Sequence, residues 1–290
     1  MKNFKGIFTA LLTPFDDNNR INEKALEKLI EMNIKKGIDG FYVNGSTAEV
    51  FLLTEEERRY IYKLVKDIVG DRCTLIAHIG CVGTMQTIDY GKYVEELGYD
   101  AISSVAPFYY KFSFEEIKQH YYMTVDNVNL PMVIYNFPNF SGVSLTPSNI
   151  SEFLCDDRFI GVKHTSNDYF AMQQFKAAFP QKIIYNGFDE MFLAGLSMGA
   201  DGGIGSTYNF MSEKFIKIKQ HFDKNEVMEA QAIQADVNKI VSALCKIGVG
   251  QGEKAVLTLL GIDFGDARPP FRRLSKDDFE FVEKNIIPLL

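Results

Sequence analysis

Lys163 is the residue whose chemistry and surroundings are most informative. It lies in an apolar run, Phe159–Thr165, whose length and composition predict a short buried strand. Burying an ammonium group without a partner is costly, and desolvation lowers the pKa of such a lysine. A neutral buried amine can attack a carbonyl carbon and form a Schiff base. The alternative, a structural lysine that pairs with a carboxylate or reaches solvent, stays open at this point.

Hydroxyl groups occur near the ends of other short apolar runs. Tyr135 lies on the candidate strand that precedes Lys163, so its hydroxyl can lie near the amine. Buried tyrosines usually have a hydrogen-bond partner in any case, so a structural role for Tyr135 is also open. The turn Gly45–Thr47 offers backbone N–H groups beside two hydroxyls, which suits a carboxylate or phosphate. Taken alone, this turn is more simply interpreted as a helix cap.

The histidines and cysteines do not form a metal-binding pattern. The histidines are scattered, and His164 should face away from Lys163 because successive side chains alternate on a strand. The cysteines lack C-x-x-C spacing and are interpreted as free thiols in a reducing compartment. We therefore expect no metal site. These residues are His78, His120, His164, His221, Cys73, Cys81, Cys155 and Cys245.

The composition of the chain is that of a globular protein. Its 290 residues are 46% hydrophobic and 24% charged, which is enough for a large core. The formal net charge of −7 argues against nucleic acid or an anionic membrane as a partner. The apolar stretch Ile7–Leu12 is too short for a signal peptide, and no stretch approaches the ~18 apolar residues of a transmembrane helix. We expect a cytoplasmic protein.

Short apolar runs alternate with longer helical patterns along the chain. Near-continuous apolar runs are typical of parallel strands that are covered on both faces. The capping box Thr54–Glu57 predicts a helix that runs toward Gly70, and the pair Thr146-Pro147 predicts another helix start. The predicted strands are Ile7–Thr13, Gly40–Asn44, Thr74–Ile79, Ala101–Ala106, Met132–Asn136, Ile160–His164, Lys182–Asn186 and Gly202–Gly205.

Eight strand–helix units predict an α/β fold, a (β/α)8 TIM barrel. A doubly wound nucleotide-binding sheet is the weaker alternative, because no G-x-G-x-x-G turn follows the first strand. Later segments such as Val227–Ile247 and Asp277–Ile287 are predicted to be helices. We expect one domain over residues 1–290. Residues 1–210 supply the barrel strands with their helices, and residues 211–290 supply the last barrel helix and a C-terminal helical extension.

Three motifs resemble those of pyruvate-dependent class I aldolases, the family that includes N-acetylneuraminate lyases and dihydrodipicolinate synthases. They are Gly45–Glu49, Tyr135–Pro138 and Gly161–Thr165, which occur in the family's order within a resemblance that covers nearly the whole chain. The resemblance implies a TIM barrel with a C-terminal helical extension, usually assembled as a homotetramer. It also implies chemistry that needs no metal or diffusible cofactor.

The resemblance also assigns roles to residues. It implies a Schiff base between Lys163 and the keto carbon of pyruvate, with Tyr135 as the proton carrier. Ser46 and Thr47 would hold the pyruvate carboxylate. Tyr110 is expected to join a hydroxyl relay with Thr47. Thr165, which follows Lys163 by two residues, is assigned to substrate binding.

The choice of branch within the family depends on fewer residues. Dihydrodipicolinate synthases typically carry an arginine shortly after the tyrosine motif, whereas Pro138 is followed here by Asn139–Gly142. The segments after the seventh and eighth predicted strands resemble the sialic-acid lyase pattern, which would hydrogen-bond a polyol tail. Ala48, where glycine is commoner, and Gly250, where some relatives have an aromatic residue, depart from the family's pattern. The implied tail contacts are Gly187, Asp189, Glu190 and Ser206.

The expected activity is reversible cleavage of N-acetylneuraminate, a sialic acid, into N-acetylmannosamine and pyruvate. Within enzymes, the alternatives are an aldolase for another 2-keto-3-deoxy sugar acid and a dihydrodipicolinate synthase. A different class, a non-catalytic sugar-acid-binding regulator with the same fold, would not need the imine-forming lysine. The expected partners are small molecules, namely sialic acid and pyruvate.

Overall fold

The computed structural model describes residues 2–143 and 145–290, and its sheet is a closed barrel of eight parallel strands. The strands pair in chain order, and the last strand closes the barrel on the first. This confirms the predicted (β/α)8 barrel, with small shifts at several strand ends. The strands are β1 (Gly6–Ala10), β2 (Gly40–Val43), β3 (Thr74–His78), β4 (Ala101–Val105), β5 (Met132–Asn136), β6 (Phe159–His164), β7 (Ile183–Asn186) and β8 (Gly202–Gly205).

The first strand ends earlier than its apolar run predicts. The backbone N–H of Leu11 still donates to the Tyr42 carbonyl at 3.0 Å. The N–H of Leu12 instead donates to the side-chain oxygen of Asn209 at 3.2 Å. A side chain from a distant helix therefore satisfies this backbone group, so the chain can leave the sheet without burying an unpaired donor.

The helices alternate with the strands and cover the barrel. The Thr54 capping box is confirmed, since Thr54 Oγ1 accepts from the Glu57 N–H and the Glu57 carboxylate accepts from the Thr54 N–H. The helices are α1 (Glu23–Lys36), α2 (Glu55–Val69), α3 (Thr84–Glu96), α4 (Phe114–Asn127), α5 (Pro138–Ser141), α6 (Ser151–Leu154), α7 (Tyr169–Ala178), α8 (Phe192–Ser197), α9 (Tyr208–Asp223), α10 (Val227–Ile247), α11 (Val249–Leu259) and α12 (Lys276–Asn285).

The predicted helix start at Thr146-Pro147 is wrong. The chain first forms a turn in which the N–H groups of Asn149 and Ile150 donate to the Thr146 carbonyl, and α6 begins only at Ser151. The Thr146 hydroxyl pairs with that of Ser148 at 2.8 Å. A hydroxyl that bonds within its own turn does not cap a following helix, which explains the late start.

Apolar side chains form one core inside the barrel and a second between the barrel and its helices. The inner core is rich in aromatic rings, and Tyr42 and Tyr185 are fully buried there. Close-packed aromatic side chains leave little room for water. A charged group placed among them therefore loses most of its hydration. The inner core comprises Phe8, Ala10, Tyr42, Ile76, Ala101, Val105, Val133, Tyr135, Tyr185 and Ile204.

The C-terminal helices pack against the barrel. The helix α9 follows β8 and lies against β1 and α1. The helix α10 packs along α9 and against the 3₁₀ turn Asp189–Met191, and α11 contacts both α9 and α10. These contacts bring α11 to the end of the barrel where β8 ends. They support our expectation of a single domain with a helical extension, which remains a proposal.

Within the described residues, none of the helices combines the length and the apolar character needed to cross a membrane.

Candidate active site

Lys163 and Tyr135 lie side by side at the carboxyl ends of neighbouring parallel strands. In the register of β5 and β6, Tyr135 is opposite Lys163, so both side chains project to the same face. The Lys163 Nζ atom lies 4.1 Å from the centroid of the Tyr135 ring and 4.4 Å from that of Tyr42. Lys163 is 5% exposed. No other side chain of residues 2–143 and 145–290 forms a hydrogen bond or ion pair with its amine.

The amine of Lys163 is therefore poorly solvated. Desolvation lowers the pKa of Lys163 to about 7, and the negative charge of Asp189 opposes this shift. A group with this pKa is neutral in about half of the molecules at pH 7. Among the described residues no carboxylate forms an ion pair with Lys163, which favours a nucleophilic amine over a lysine held in an ion pair.

Tyr135 keeps its proton at neutral pH. Burial raises the pKa of Tyr135 to about 12, while the nearby hydroxyls of Ser46 and Thr165 oppose this shift. The Thr165 Oγ1 atom is buried and has no hydrogen-bond partner in the described parts of the chain. It is a polar group that a ligand can satisfy.

The position of Gly187 depends on Thr165. A Cβ atom at residue 187 would lie only 1.9 Å from the Thr165 Oγ1 atom. The N–H of Gly187 donates to the His164 carbonyl at 2.9 Å. The chain after β7 therefore passes so close to Thr165 that only glycine fits, which places Gly187 at the edge of the site.

Ser46 and Thr47 form the turn that follows β2. They begin a 3₁₀ turn, Ser46–Ala48, in which Ala48 and Glu49 supply the N–H donors. The N–H groups of Ser46 and Thr47 make no hydrogen bond to the part of the protein that the structure describes. Ser46 faces two cavities, of about 310 Å³ and 180 Å³. Free N–H donors beside hydroxyls at a cavity can bind a carboxylate, which favours the binding role over a simple helix cap.

Asp189 lies where β7 and β8 end. It is 7% exposed, and its Oδ2 atom accepts from the Thr207 backbone N–H at 2.8 Å and from the Thr207 hydroxyl at 2.6 Å. Burial raises the pKa of Asp189 to about 6, and the Thr207 hydrogen bonds oppose this. Part of its hydrogen-bonding capacity is therefore used within the protein. Glu190 is half-buried next to it, and its charge also raises the pKa of Asp189.

Ser206 and Tyr110, which the sequence also predicted as site residues, contact other parts of the protein. The Ser206 hydroxyl donates to the carboxyl of Glu253 on α11 at 2.5 Å, so it faces the C-terminal helices. Tyr110 is 64% exposed, and its ring contacts Tyr109 and Phe112. Within the residues that the structure describes, no hydrogen bond or ring contact joins Tyr110 to Thr47. The relay between these two residues stays a prediction.

His164 faces the covering helices, as the alternation along β6 predicts. Its Nδ1 atom lies 3.0 Å from the Asn136 side chain, and its Nε2 atom lies 3.0 Å from the Asp168 carbonyl. Among the described residues, no group of three or more His, Cys, Asp or Glu side chains is placed to hold a metal ion.

Two residues of the site were not predicted. Tyr42 lies under the Lys163 amine, and Glu253 binds Ser206. The signal for Glu253 was a pair of charged residues, Glu253-Lys254, near the middle of a helix and one turn after Gly250. Tyr42 had no distinguishing signal, because an aromatic residue in a short strand is ordinary.

Comparison with known proteins agrees with this geometry. Residues 3–287 match the model of the dihydrodipicolinate synthetase family. The chain belongs to this family. It is 39% identical over 287 residues to an N-acetylneuraminate lyase of Rhizobium meliloti, with 99% of this chain and 95% of the relative covered.

Solved structures of family members superpose closely on the barrel. The CdNal protein of Clostridium difficile, solved in complex with mannosamine, is 35% identical with a TM-score of 0.97 over 99% of this chain and 100% of the other. An N-acetylneuraminate lyase of Fusobacterium nucleatum complexed with pyruvate is 36% identical with a TM-score of 0.94, over 99% and 97%. A dihydrodipicolinate synthase of Bacillus anthracis is 27% identical with a TM-score of 0.93, over 98% and 97%.

The first prediction concerns the amine of Lys163. Trace acetylation with acetic anhydride, read by peptide mass spectrometry across pH 5 to 11, should give a midpoint near the pKa of about 7, since only neutral amines react. The exposed lysines of the same chain are internal controls. Asp189→Asn should lower the midpoint, because the carboxylate stabilises the charged amine. Glu229→Gln, at an exposed carboxylate, should not. If the midpoint for Lys163 were at a pH of ~10.4, the ordinary pKa of lysine, the amine would not be desolvated.

Proposed function

We propose that this protein is an N-acetylneuraminate lyase, which reversibly cleaves N-acetylneuraminate into N-acetylmannosamine and pyruvate through a Schiff base on Lys163. The observation that carries the proposal is the buried Lys163 amine beside Tyr135, without an ion-pair partner among the described residues. The names of the Rhizobium meliloti and Fusobacterium nucleatum relatives support the choice of substrate.

The first half of the reaction forms the imine. The neutral Lys163 amine attacks the keto carbon of the open-chain sugar acid, and the resulting carbinolamine loses water to give a protonated imine. Tyr135 donates its proton to the departing hydroxyl and becomes a phenolate. Because the pKa of Tyr135 is raised to about 12, this phenolate is a strong base that can accept a proton from an alcohol.

The second half breaks the carbon–carbon bond. The Tyr135 phenolate removes the proton of the C4 hydroxyl, with the substrate carboxylate as relay, and the C3–C4 bond breaks. N-acetylmannosamine leaves as the aldehyde, while the bonding electrons enter the protonated imine and form an enamine. Protonation of the enamine carbon and hydrolysis of the imine release pyruvate and restore the Lys163 amine.

The remaining site residues would hold the two ends of the substrate. The Ser46 and Thr47 turn would bind the carboxylate through its free N–H groups and hydroxyls. The unpartnered Thr165 hydroxyl lies close to the phenol and is available to the keto-acid portion. Gly187, Asp189, Glu190 and Ser206 would meet the hydroxyls of the sugar tail. Carboxyl and hydroxyl groups suit a polyol and disfavour a second carboxylate on the substrate.

The proposal includes a homotetramer in the cytoplasm. Tyr109 is 86% exposed beside the exposed Tyr110, and adjacent exposed aromatic rings are typical of an interaction surface. The four cysteines are free thiols, of which Cys155 and Cys245 are exposed, and this supports a reducing compartment.

Substrate choice separates the proposal from its enzyme alternatives. The short helix α5 begins at Pro138, and in it Phe140 is exposed and no arginine occurs. We expect a panel of sugar acids, assayed for released pyruvate, to give the highest kcat/KM with N-acetylneuraminate. A higher value for a shorter 2-keto-3-deoxy sugar acid would reassign the substrate. Condensation of pyruvate with aspartate semialdehyde as the best reaction would identify a dihydrodipicolinate synthase.

A covalent trap tests the imine. Pyruvate with sodium borohydride should add one reduced pyruvyl group to the chain, at Lys163, as read by peptide mass spectrometry. Lys163→Ala should fold, since it removes a costly buried amine, and should form no adduct and cleave no substrate. Lys163→Arg should not restore activity, because guanidinium stays protonated and cannot form an imine. An adduct on another lysine alone would refute the mechanism.

The role of Tyr135 is tested by Tyr135→Phe, which keeps the ring and removes the hydroxyl. Because general acid–base catalysis typically contributes ~10²–10⁴-fold, kcat should fall by that order with a smaller change in KM. Tyr185→Phe is the matched control, since this hydroxyl lies in the same barrel interior but bonds the Phe4 carbonyl. Unchanged turnover in Tyr135→Phe would assign this residue to packing.

A further inference from the structure

A small cavity connects the candidate site to the C-terminal helices. Its volume is about 180 Å³, and it lies between the turn after β2, the end of β8 and the start of α11. Ser46 and Thr47 line one side, and Ser206, Gly250 and Glu253 line the other. The proposed carboxylate-binding turn and the proposed tail-binding serine therefore face the same space.

Glu253 is a buried carboxyl group at the wall of this cavity. It is 1% exposed, and its Oε1 atom accepts a hydrogen bond of 2.5 Å from the Ser206 hydroxyl. Its other oxygen, Oε2, forms no hydrogen bond or ion pair with the residues that the structure describes. A carboxyl group with one oxygen engaged and the other unengaged, at the wall of a cavity, can still bind a ligand.

The neighbouring lysine does not neutralise Glu253. Lys254 is 2% exposed and pairs instead with Glu49, at 2.5 Å between Nζ and Oε1. Glu253 is thus not needed to balance a buried positive charge. Burying a polar group that lacks partners destabilises a protein, so a structural role alone does not account for a carboxyl at this position.

The charge state of Glu253 suits an uncharged ligand group. Burial raises the pKa of Glu253 to about 8, and the charge of Asp189 raises it further, while the Ser206 hydrogen bond opposes the shift. A neutral carboxyl can both donate and accept hydrogen bonds, as a hydroxyl does. It can therefore approach a polyol without placing another negative charge beside Asp189.

Resting on the proposed lyase function, we propose that Glu253 is a further specificity-determining residue for the hydroxyl-bearing tail of the substrate. One carboxyl oxygen holds the Ser206 hydroxyl in place, and the other contacts a tail hydroxyl in the cavity. Gly250, three residues earlier on α11, lines the same cavity, and a Cβ atom there would meet no other atom within 4 Å, so the space beside it is open.

Three substitutions at residue 253 test the proposal on two substrates. Kinetics are measured with N-acetylneuraminate and with a 2-keto-3-deoxy sugar acid that lacks the glycerol tail. Glu253→Leu removes both hydrogen bonds, so kcat/KM for N-acetylneuraminate should fall by about 10-fold or more, and by less than about 2-fold for the tail-free acid. Glu253→Gln should retain most of the preference, because a carboxamide fills the same volume and donates and accepts. Glu253→Met, made alongside, removes the hydrogen bonds with an unbranched side chain.

A double variant tests whether Glu253 and Ser206 act together. If Glu253 holds the serine, Ser206→Ala combined with Glu253→Leu should lose less than the product of the two separate losses. Leu259→Ala, on an exposed position of the same helix, controls for destabilisation of α11. Borohydride trapping of pyruvate, which does not involve the tail, reports the intact imine-forming site in each variant.

Failure of the proposed role of Glu253 can be distinguished from failure of the proposed lyase function. Equal losses on both substrates, independent effects in the double variant, or a Gln variant as impaired as the Leu variant would overturn the role of Glu253. If the unsubstituted protein traps pyruvate but does not cleave N-acetylneuraminate, the proposed substrate is wrong instead.

Discussion

The desolvation of Lys163 is the interaction on which the rest of the site depends. Burial lowers the pKa of Lys163 to about 7 because the aromatic rings of Tyr42 and Tyr135 surround the amine in place of water. The closed barrel makes this possible, since all eight strands direct side chains into one interior. An amine that is uncharged in part of the molecules at neutral pH, and that no carboxylate holds in an ion pair, is what imine chemistry requires.

Burial raises the pKa of the carboxyl groups of the site, whereas it lowers that of the lysine. It raises the pKa of Asp189 to about 6 and that of Glu253 to about 8, so the carboxyl nearer to Lys163 is mostly charged at pH 7 and the other is mostly neutral. Two hydrogen bonds from Thr207 keep the pKa of Asp189 closer to its usual value than the single Ser206 hydrogen bond keeps the pKa of Glu253. The candidate site thus contains a charged carboxylate that stabilises the charged form of the lysine, and a neutral carboxyl that can bind hydroxyls lies at its border with α11.

Much of the fold was predictable because local patterns and tertiary packing agree. The apolar run Met132–Asn136 and the helix Val227–Ile247 have the predicted bounds. Disagreement occurs where a side chain from elsewhere satisfies the backbone, as Asn209 does after β1. It also occurs where a hydroxyl bonds within its own turn, as Thr146 does before α6. Such bonds depend on three-dimensional neighbours or on turn geometry, which hydrophobic patterning does not report.

The sequence by itself determined the barrel, the catalytic candidate Lys163 and its neighbour Tyr135. Alternation along a strand decides which side chains share a face, and a lysine in an apolar strand is chemically conspicuous. Only the tertiary structure decided that Tyr42 lies under the amine, that Ser206 faces Glu253, and that Tyr110 is exposed in a single chain. These placements join segments far apart in the chain, and packing between the barrel and its C-terminal helices sets them rather than any local pattern.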